Sequence, residues 1–249
     1  MGLESHVAVV TGATGGIGRA VAEALAAEGV RLALVARRRD RLEAMAADLH
    51  RTFGVEAHAV PGDASTAAVN EDAVSLALRR WQRVDYALGC AGAHEFDAAN
   101  DPGVVERMLR QNAMTKAMLA SAAAAPMRER RSGHLVFLSS MASTTPLAGQ
   151  SAYCASMAAV DHLARSLALE LAPHGVRVHA YAPGLVDTPL ARRNFHALAL
   201  ERLGESGAER FWKEDVLRPA EAARDVVAIL KNPAGYGDVV VARPPKVVL

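Results

Sequence analysis

Strand-length apolar runs alternate with helical stretches along nearly the whole chain of 249 residues, and this alternation limits the folds that the chain can adopt. The predicted strands lie at 7–10, 32–36, 55–60, 84–88, 134–138, 176–181 and 239–242. The predicted helices lie at about 18–28, 40–53, 67–81, 102–130, 151–172 and 219–230. Apolar strands separated by helices are typical of a parallel sheet that is covered on both faces. We therefore predict a single α/β domain over residues 1–249, with a doubly wound, seven-stranded parallel sheet and helices on both faces.

Residues suited to binding or catalysis follow five of the predicted strands. They are the glycine turn at 12–18, Asp63, Gly92, Ser140 and the pair Pro183 and Gly184. In open sheets of this kind, ligands bind outside the carboxyl ends of the strands. The convergence of five strand ends therefore predicts one binding crevice.

The glycine turn follows the first strand and opens the first helix. Gly12, Gly16 and Gly18 allow a tight turn, and they let a pyrophosphate approach backbone N–H groups at a helix N-terminus. A turn kept for packing alone is the alternative. The strand before it and the helix after it favour dinucleotide binding.

From this turn onward the chain resembles the classical short-chain dehydrogenase/reductase family, whose fold is of the Rossmann type. Asn112, Ser140 and Tyr153 match the catalytic residues of that family. The resemblance implies a cofactor site made of Gly12, Thr14, Gly15, Gly16, Ile17, Gly18, Arg37, Arg38, Asp63, Ala64, Ala91, Gly92, Tyr153, Pro183, Gly184, Val186 and Thr188. The C-terminal segment 237–245 resembles the NADP-dependent 3-hydroxy acid, serine and clavulanate-type dehydrogenases.

The end of the second strand indicates which dinucleotide is bound. Sites for NAD place an acidic residue there to hold the ribose 2′-hydroxyl. Here the position is Ala36, and Arg37 and Arg38 follow it. An arginine can pair with a 2′-phosphate through charge-assisted hydrogen bonds. A solvated basic helix start is the alternative interpretation, but the position favours NADP(H).

In the mechanism that the resemblance implies, Tyr153 is the general acid/base. It gives a proton to the carbonyl oxygen as hydride arrives, Ser140 hydrogen-bonds that oxygen, and Asn112 supports a water relay. A phenol needs help to titrate near neutrality. The family supplies a lysine four residues later, but this chain has Met157. The family's Asn-Asn-Ala-Gly turn is also changed, because this chain has Gly89 and Cys90 in place of the two asparagines.

Two other cations could substitute for the missing lysine. Lys116 lies one helical turn after Asn112, and His94 lies just after the fourth strand. For both, we expect a solvated or rim position.

Two classes of function remain open. The first is an NADP(H)-dependent oxidoreductase acting on a small carbonyl/alcohol pair. Its substrate would lie under a mostly apolar lid at 185–215, the least regular segment of the chain, which includes Pro189, Gly204 and Gly207. The second is a catalytically impaired or non-redox relative, such as a cofactor-binding scaffold, a sensor or a non-redox acid–base enzyme. Met157 favours this second class.

Composition limits the partners. The chain has 28 basic and 27 acidic side chains, so no strong field of one sign would attract nucleic acid. Cys90 and Cys154 form no disulfide framework, and no metal-ligand spacing is present. Without a signal peptide or an apolar span, we expect no membrane partner and a reduced, soluble, cytoplasmic protein. The resemblance implies a homodimer or homotetramer that is assembled through the helices at 102–130 and 151–172.

Overall fold

The fold is a seven-stranded, all-parallel sheet in the order β3-β2-β1-β4-β5-β6-β7. The computed structural model describes residues 2–96, 101–236 and 238–244. The strands are β1 Val7–Thr11, β2 Arg31–Ala36, β3 Ala57–Pro61, β4 Tyr86–Gly89, β5 Gly133–Leu138, β6 Val176–Pro183 and β7 Val240–Arg243. The predicted fold class is confirmed, and the predicted strand bounds differ from these by two residues at most.

Eight α-helices are found in the described ranges. They are α1 Gly16–Ala27, α2 Arg39–Phe53, α3 Ala67–Trp81, α4 Pro102–Met108, α5 Thr115–Glu129, α6 Ser151–Leu171, α7 Pro189–Arg210 and α8 Pro219–Lys231. Two π-helical segments, Leu109–Met114 and Phe211–Asp215, and three short 3-10 turns complete the elements of the described chain. None of these helices combines the length and the apolar character that crossing a membrane requires.

Strand β1 lies at the centre of the core, and its residues alternate between the two faces of the sheet. Ala8 and Val10 pack into one cluster with α1, α2 and α8. Val7 and Val9 pack into a second cluster with α3, α5 and α6. All four side chains are fully buried, which explains why the strand is apolar throughout rather than alternating.

The order in which strands are added to the sheet reverses at β1. This strand pairs with β2 on one side and with β4 on the other, so that Thr11 lies between Val35 and Gly89. A reversal of strand order opens a crevice at the carboxyl ends of the strands. The turns that follow β1 and β4 therefore border the same crevice.

The helix predicted over 102–130 is interrupted. A π-helical segment, Leu109–Met114, separates α4 from α5 and carries the fully buried Asn112. Single π-turns inside helices are rare and occur often at functional sites.

The prediction of an irregular segment at 185–215 is wrong. The Thr188 hydroxyl accepts a hydrogen bond from the Ala191 N–H at 3.1 Å, and Pro189 begins α7. The helix bends at Gly204, whose φ of 68° and ψ of 175° are not helical. This segment is therefore a bent helical arm rather than a loop.

In the C-terminal segment, the predicted last strand is found as β7. Gly237 and residues 245–249 lie outside the described residues, so the ending that carries the subgroup resemblance is described only in part.

A buried histidine pair joins β5 to β6. The Nε2 atom of His134 lies 2.8 Å from Nδ1 of His179, and both rings are buried. Burial lowers the pKa of both imidazoles, that of His134 to about 3. Both rings are therefore neutral in the folded protein at neutral pH.

This pair predicts a loss of stability in mild acid. The folded-state pKa of His134 lies below its unfolded value of 6.5, so the unfolded chain binds more protons as the pH falls below 6.5. From pH 7.5 to 5.5, His134 alone should remove about 1 kcal/mol from the free energy of unfolding. Urea unfolding at the two pH values measures this. In His134→Gln, the free energy of unfolding should fall less between pH 7.5 and 5.5, by about 1 kcal/mol. An equal pH dependence in the two proteins would contradict the assignment.

Candidate active site

The glycine turn after β1 is held against the turn after β4. Gly12 has a φ of +67°, and a Cβ atom placed on it would lie 2.6 Å from the backbone nitrogen of Ala91. A Cβ on Gly18 would overlap the carbonyl oxygen of Gly12. Both positions therefore require glycine, and the turn is compact enough for a phosphate to approach its backbone.

The start of α7 closes on the same turn. A Cβ on Gly16 would lie 2.5 Å from the Thr188 methyl carbon. Val186, two residues earlier, forms an isolated parallel bridge with Leu217. Pro183 and Gly184 lead into this segment from β6. The helical arm at α7 is thus anchored directly beside the predicted cofactor site.

Basic side chains lie around the outer side of the turn. Arg37 and Arg38 follow β2 and are exposed. A pocket of about 330 Å³ between α1 and α2 is lined by Thr14, Arg19 and Arg41 among others. Arg19 is paired with Glu23 at 2.8 Å. Arg41, in the first turn of α2, is a further candidate phosphate contact.

Asp63 and Ala64 follow β3. The Asp63 carboxylate accepts a hydrogen bond from the Ser65 N–H at 2.9 Å, and this bond is the main reason why its pKa is lowered. The positive charges of Arg110 and Arg37 add to the effect. Asp63 therefore stays ionised and can accept hydrogen bonds near the end of β2.

Tyr153 and Ser140 are brought together by α6 and the end of β5. Their side chains are hydrogen-bonded to each other, and this bond by itself lowers the pKa of the phenol. Burial outweighs it and raises the pKa of Tyr153. No cation among the described residues acts on this hydroxyl, so it is held as a neutral phenol, which is the proton-donating form.

Asn112 ties the β4 turn to α6. Its side chain accepts from the Ala93 N–H at 2.8 Å and donates to the Ala93 carbonyl at 3.0 Å. It also donates to Ser156 Oγ at 2.9 Å, and Ser156 in turn donates to the Tyr153 carbonyl at 2.7 Å. The Asn112 amide therefore acts on the position of Tyr153 through two successive hydrogen bonds.

Met157 lies one turn after Tyr153 and is buried. It provides neither charge nor a hydrogen-bond donor. One further turn along α6, the buried Asp161 accepts from Ser139 Oγ at 2.5 Å through one carboxylate oxygen. Its other oxygen has no hydrogen-bond partner among the described residues. Positions 157 and 161 of α6 therefore carry a thioether and an acidic group, and neither carries a cation.

The expectation that His94 lies at a solvated rim is wrong. Its ring is buried, with the centroid 4.5 Å from that of Tyr153. The Asn194 amide donates to Nδ1 at 2.8 Å, so Nε2 carries the proton and lies 2.7 Å from the Gln150 side-chain oxygen. Burial lowers the pKa of this histidine, so it stays neutral. His94 therefore cannot supply the missing cation. Its hydrogen bond with Asn194 holds α7 against the crevice.

The expectation of a solvated Lys116 is also wrong. Its side chain is 1% exposed, and Nζ lies 2.5 Å from the carbonyl oxygen of Ala91. The sequence gives no signal for the contacts of Gln150 and Asn194 with His94, or for the burial of Lys116. Each depends on residues that are far apart in the chain.

An arrangement of this kind defines the class of dinucleotide-binding oxidoreductases that are built on a doubly wound sheet. A family model described as short chain dehydrogenase matches residues 6–199. The chain therefore belongs to the short-chain dehydrogenase/reductase family.

Curated relatives and solved structures agree with this assignment. Glycine betaine reductase ATRR of Emericella nidulans is 35% identical over 234 residues, which are 93% of this chain but 18% of that longer protein. Short-chain reductase protein NovJ of Streptomyces niveus is 33% identical over 237 residues, which are 94% of this chain and 90% of NovJ. L-sorbose reductase from Gluconobacter frateurii, crystallised with NADPH and L-sorbose, is 28% identical with a TM-score of 0.83, covering 97% of this chain and 95% of that one.

The close contact at Gly12 predicts that alanine is tolerated much less there than at Gly54, although the two glycines have similar backbone angles. Gly54 has a φ of +70° but no described atom within 4 Å of an added Cβ. Gly54→Ala should cost about 1–2 kcal/mol of stability from backbone strain alone. Gly12→Ala adds a clash with Ala91, so it should lose more stability in urea unfolding and should abolish binding of NADPH in a fluorescence titration. Equal losses in the two variants would contradict the contact.

Proposed function

We propose that this chain is an NADP(H)-dependent oxidoreductase that interconverts a small carbonyl compound and its alcohol by hydride transfer. The observation that carries the proposal is the hydrogen-bonded pair of Tyr153 and Ser140 past the carboxyl end of β5. When bound, the dinucleotide supplies or accepts the hydride. Tyr153 donates its proton to the carbonyl oxygen, Ser140 hydrogen-bonds the same oxygen, and Asn112 keeps Tyr153 in place.

NADP(H) is the proposed dinucleotide because β2 ends at Ala36 rather than at an acidic residue, and two arginines follow it. Arg37 and Arg38 are exposed there, and Arg37 is near enough to lower the pKa of Asp63. The glycine turn leaves room for a phosphate at the N-terminus of α1. NADPH in the crystals of L-sorbose reductase supports the same choice.

The surroundings of Tyr153 support an apolar substrate. His94 packs against Tyr153, and Phe195 lies 5.0 Å from His94 between ring centroids. Phe96 completes this aromatic cluster at 5.3 Å from Phe195. Phe195 comes from α7, so the proposed lid contributes to the cluster. Trp212 of the same arm is buried in the arm's own small core.

Met157 favours a second candidate, a catalytically impaired or non-redox relative. Among the described residues no cation acts on the Tyr153 hydroxyl, and the pKa of that phenol is raised rather than lowered. A raised pKa is compatible with proton donation, and it opposes formation of the phenolate that alcohol oxidation requires. The first candidate therefore predicts an enzyme that reduces carbonyls more readily than it oxidises alcohols near neutral pH.

We also propose a homodimer or homotetramer, as the family resemblance implies. Leu109, Met114 and Leu169 are exposed apolar side chains on the helices through which it would assemble.

The first test is an equilibrium titration with NADPH, with NADH beside it. Binding of NADPH should be at least about tenfold tighter, since charge-assisted hydrogen bonds to a 2′-phosphate are worth about 1.5–3 kcal/mol. Replacing Arg37 and Arg38 together by Ser should remove this preference and leave NADH binding unchanged. Arg39→Ser is the matched control, because Arg39 pairs with Glu43 at 3.2 Å on the exposed side of α2. Absence of binding by the wild-type protein would refute the proposed function.

A second test restores a lysine on α6. The carboxylate oxygen of Asp161 that has no partner among the described residues lies one turn beyond position 157, so an ammonium group placed there gains an acceptor. Met157→Lys should lower the pKa of Tyr153 and raise turnover of an activated ketone at least about tenfold. The pH profile of alcohol oxidation should shift to lower pH.

The control for this test is Met157→Lys in a Tyr153→Phe background, where no gain should occur. A gain that persists there would show that the lysine acts without Tyr153. No gain in either background would favour the second candidate.

A further inference from the structure

Lys116 is the one lysine or arginine side chain that is buried within the described part of the chain. It belongs to the first turn of α5, directly after the π-helical segment, and it extends toward the end of β4. Its ammonium group donates to the Ala91 carbonyl at 2.5 Å. Thr115 also approaches this carbonyl, with its hydroxyl at 3.3 Å.

Gly89 makes room for this side chain, and Gly92 lies close to its ammonium group. A Cβ on Gly89 would lie 3.1 Å from Cγ of Lys116, so glycine at the end of β4 accommodates the lysine stem. A Cβ on Gly92 would lie 3.5 Å from Nζ, and Gly92 is exposed. The ammonium group is therefore buried but lies close to an exposed glycine.

The peptide that Lys116 holds, between Ala91 and Gly92, adjoins the Cys90–Ala91 peptide that contacts the glycine turn. The Ala91 nitrogen and Cα would lie 2.6 and 2.7 Å from a Cβ on Gly12. The Ala91 N–H also faces Thr11 Oγ1 at 3.4 Å. Lys116 thus helps to fix the separation of the two turns that border the crevice.

No described carboxylate forms an ion pair with Lys116. The titratable group that faces it is the Cys90 thiol, whose pKa burial raises to about 12, so the thiol is neutral. Asn112 and Phe137 nearby are uncharged. Burial lowers the pKa of Lys116 to about 8. An unpaired buried charge costs several kcal/mol, so a cation kept beneath an exposed turn is suited to an anionic ligand.

We propose that Lys116 is a positioning residue for an anionic dinucleotide: it holds the Ala91–Gly92 turn against Gly12 and places a positive charge beneath the bound cofactor. This proposal rests on the proposed NADP(H) site. Because the cofactor carries negative charge, the ammonium form of Lys116 should bind it more tightly than the neutral amine. Cofactor affinity should therefore fall as the pH rises through the pKa of this lysine.

The experiment is a titration of the full chain with NADPH from pH 7.0 to 9.5. The wild-type dissociation constant should rise at least fivefold over this range. Lys116→Met, which has a similar volume and no charge, should fold with an unchanged or higher Tm. It should bind NADPH at least tenfold more weakly at pH 7.0, with a flat pH dependence. Lys116→Gln keeps a hydrogen-bond donor without the charge, and its NADPH affinity should also be independent of pH. Lys231→Met is the control, since Lys231 pairs with Glu28 at 2.6 Å on other elements.

The outcomes separate this inference from the proposed function. If wild type binds NADPH and both Lys116 variants match it in affinity and pH dependence, Lys116 is a packing residue and the inference fails alone. The inference also fails alone if the variants lose affinity but keep the wild-type pH dependence, because the charge then has no part in binding. If wild type does not bind NADPH, the proposed function and this inference both fail.

Discussion

The backbone contact between Gly12 and Ala91 is the constraint on which the crevice depends. Thr11 pairs with Gly89 in the sheet, so the turns that follow β1 and β4 leave adjacent strands at the same level. A side chain on Gly12 would force these turns apart, because the nearest atoms across the gap are backbone atoms. Glycine here therefore sets the width of the opening at the point where the strand order reverses, which is where ligands bind in doubly wound sheets.

The catalytic candidates are positioned from the same turn. Asn112 binds both backbone groups of Ala93 and reaches Ser156 on α6, so the location of Tyr153 is linked to the β4 turn rather than to α6 alone. The π-helical segment places Asn112 in this position. A fully buried amide with all of these partners is costly to disturb, because any lost bond leaves an unsatisfied group.

Local patterns in the sequence were sufficient to predict the sheet, the helices that cover it and the strand ends where the site residues lie. They were insufficient for His94 and Lys116, whose burial depends on Asn194, Gln150 and Gly89 from distant parts of the chain. The error over 185–215 had a different cause. Thr188 followed by Pro189 is a helix-start signal, but Gly204 and Gly207 further along are typical of irregular segments.

The departures from the family pattern at Gly89 and Met157 form one physical picture. The absent side chain at Gly89 leaves space that the Lys116 stem fills, while Met157 keeps α6 uncharged beside Tyr153. Each buried cation costs free energy, so a second one at position 157 of α6 would add to the cost of Lys116 on α5. The consequence for chemistry is a division of roles that we propose for this site: the positive charge serves the cofactor turn, and Tyr153 is left as a neutral phenol, suited to donating a proton to a carbonyl oxygen.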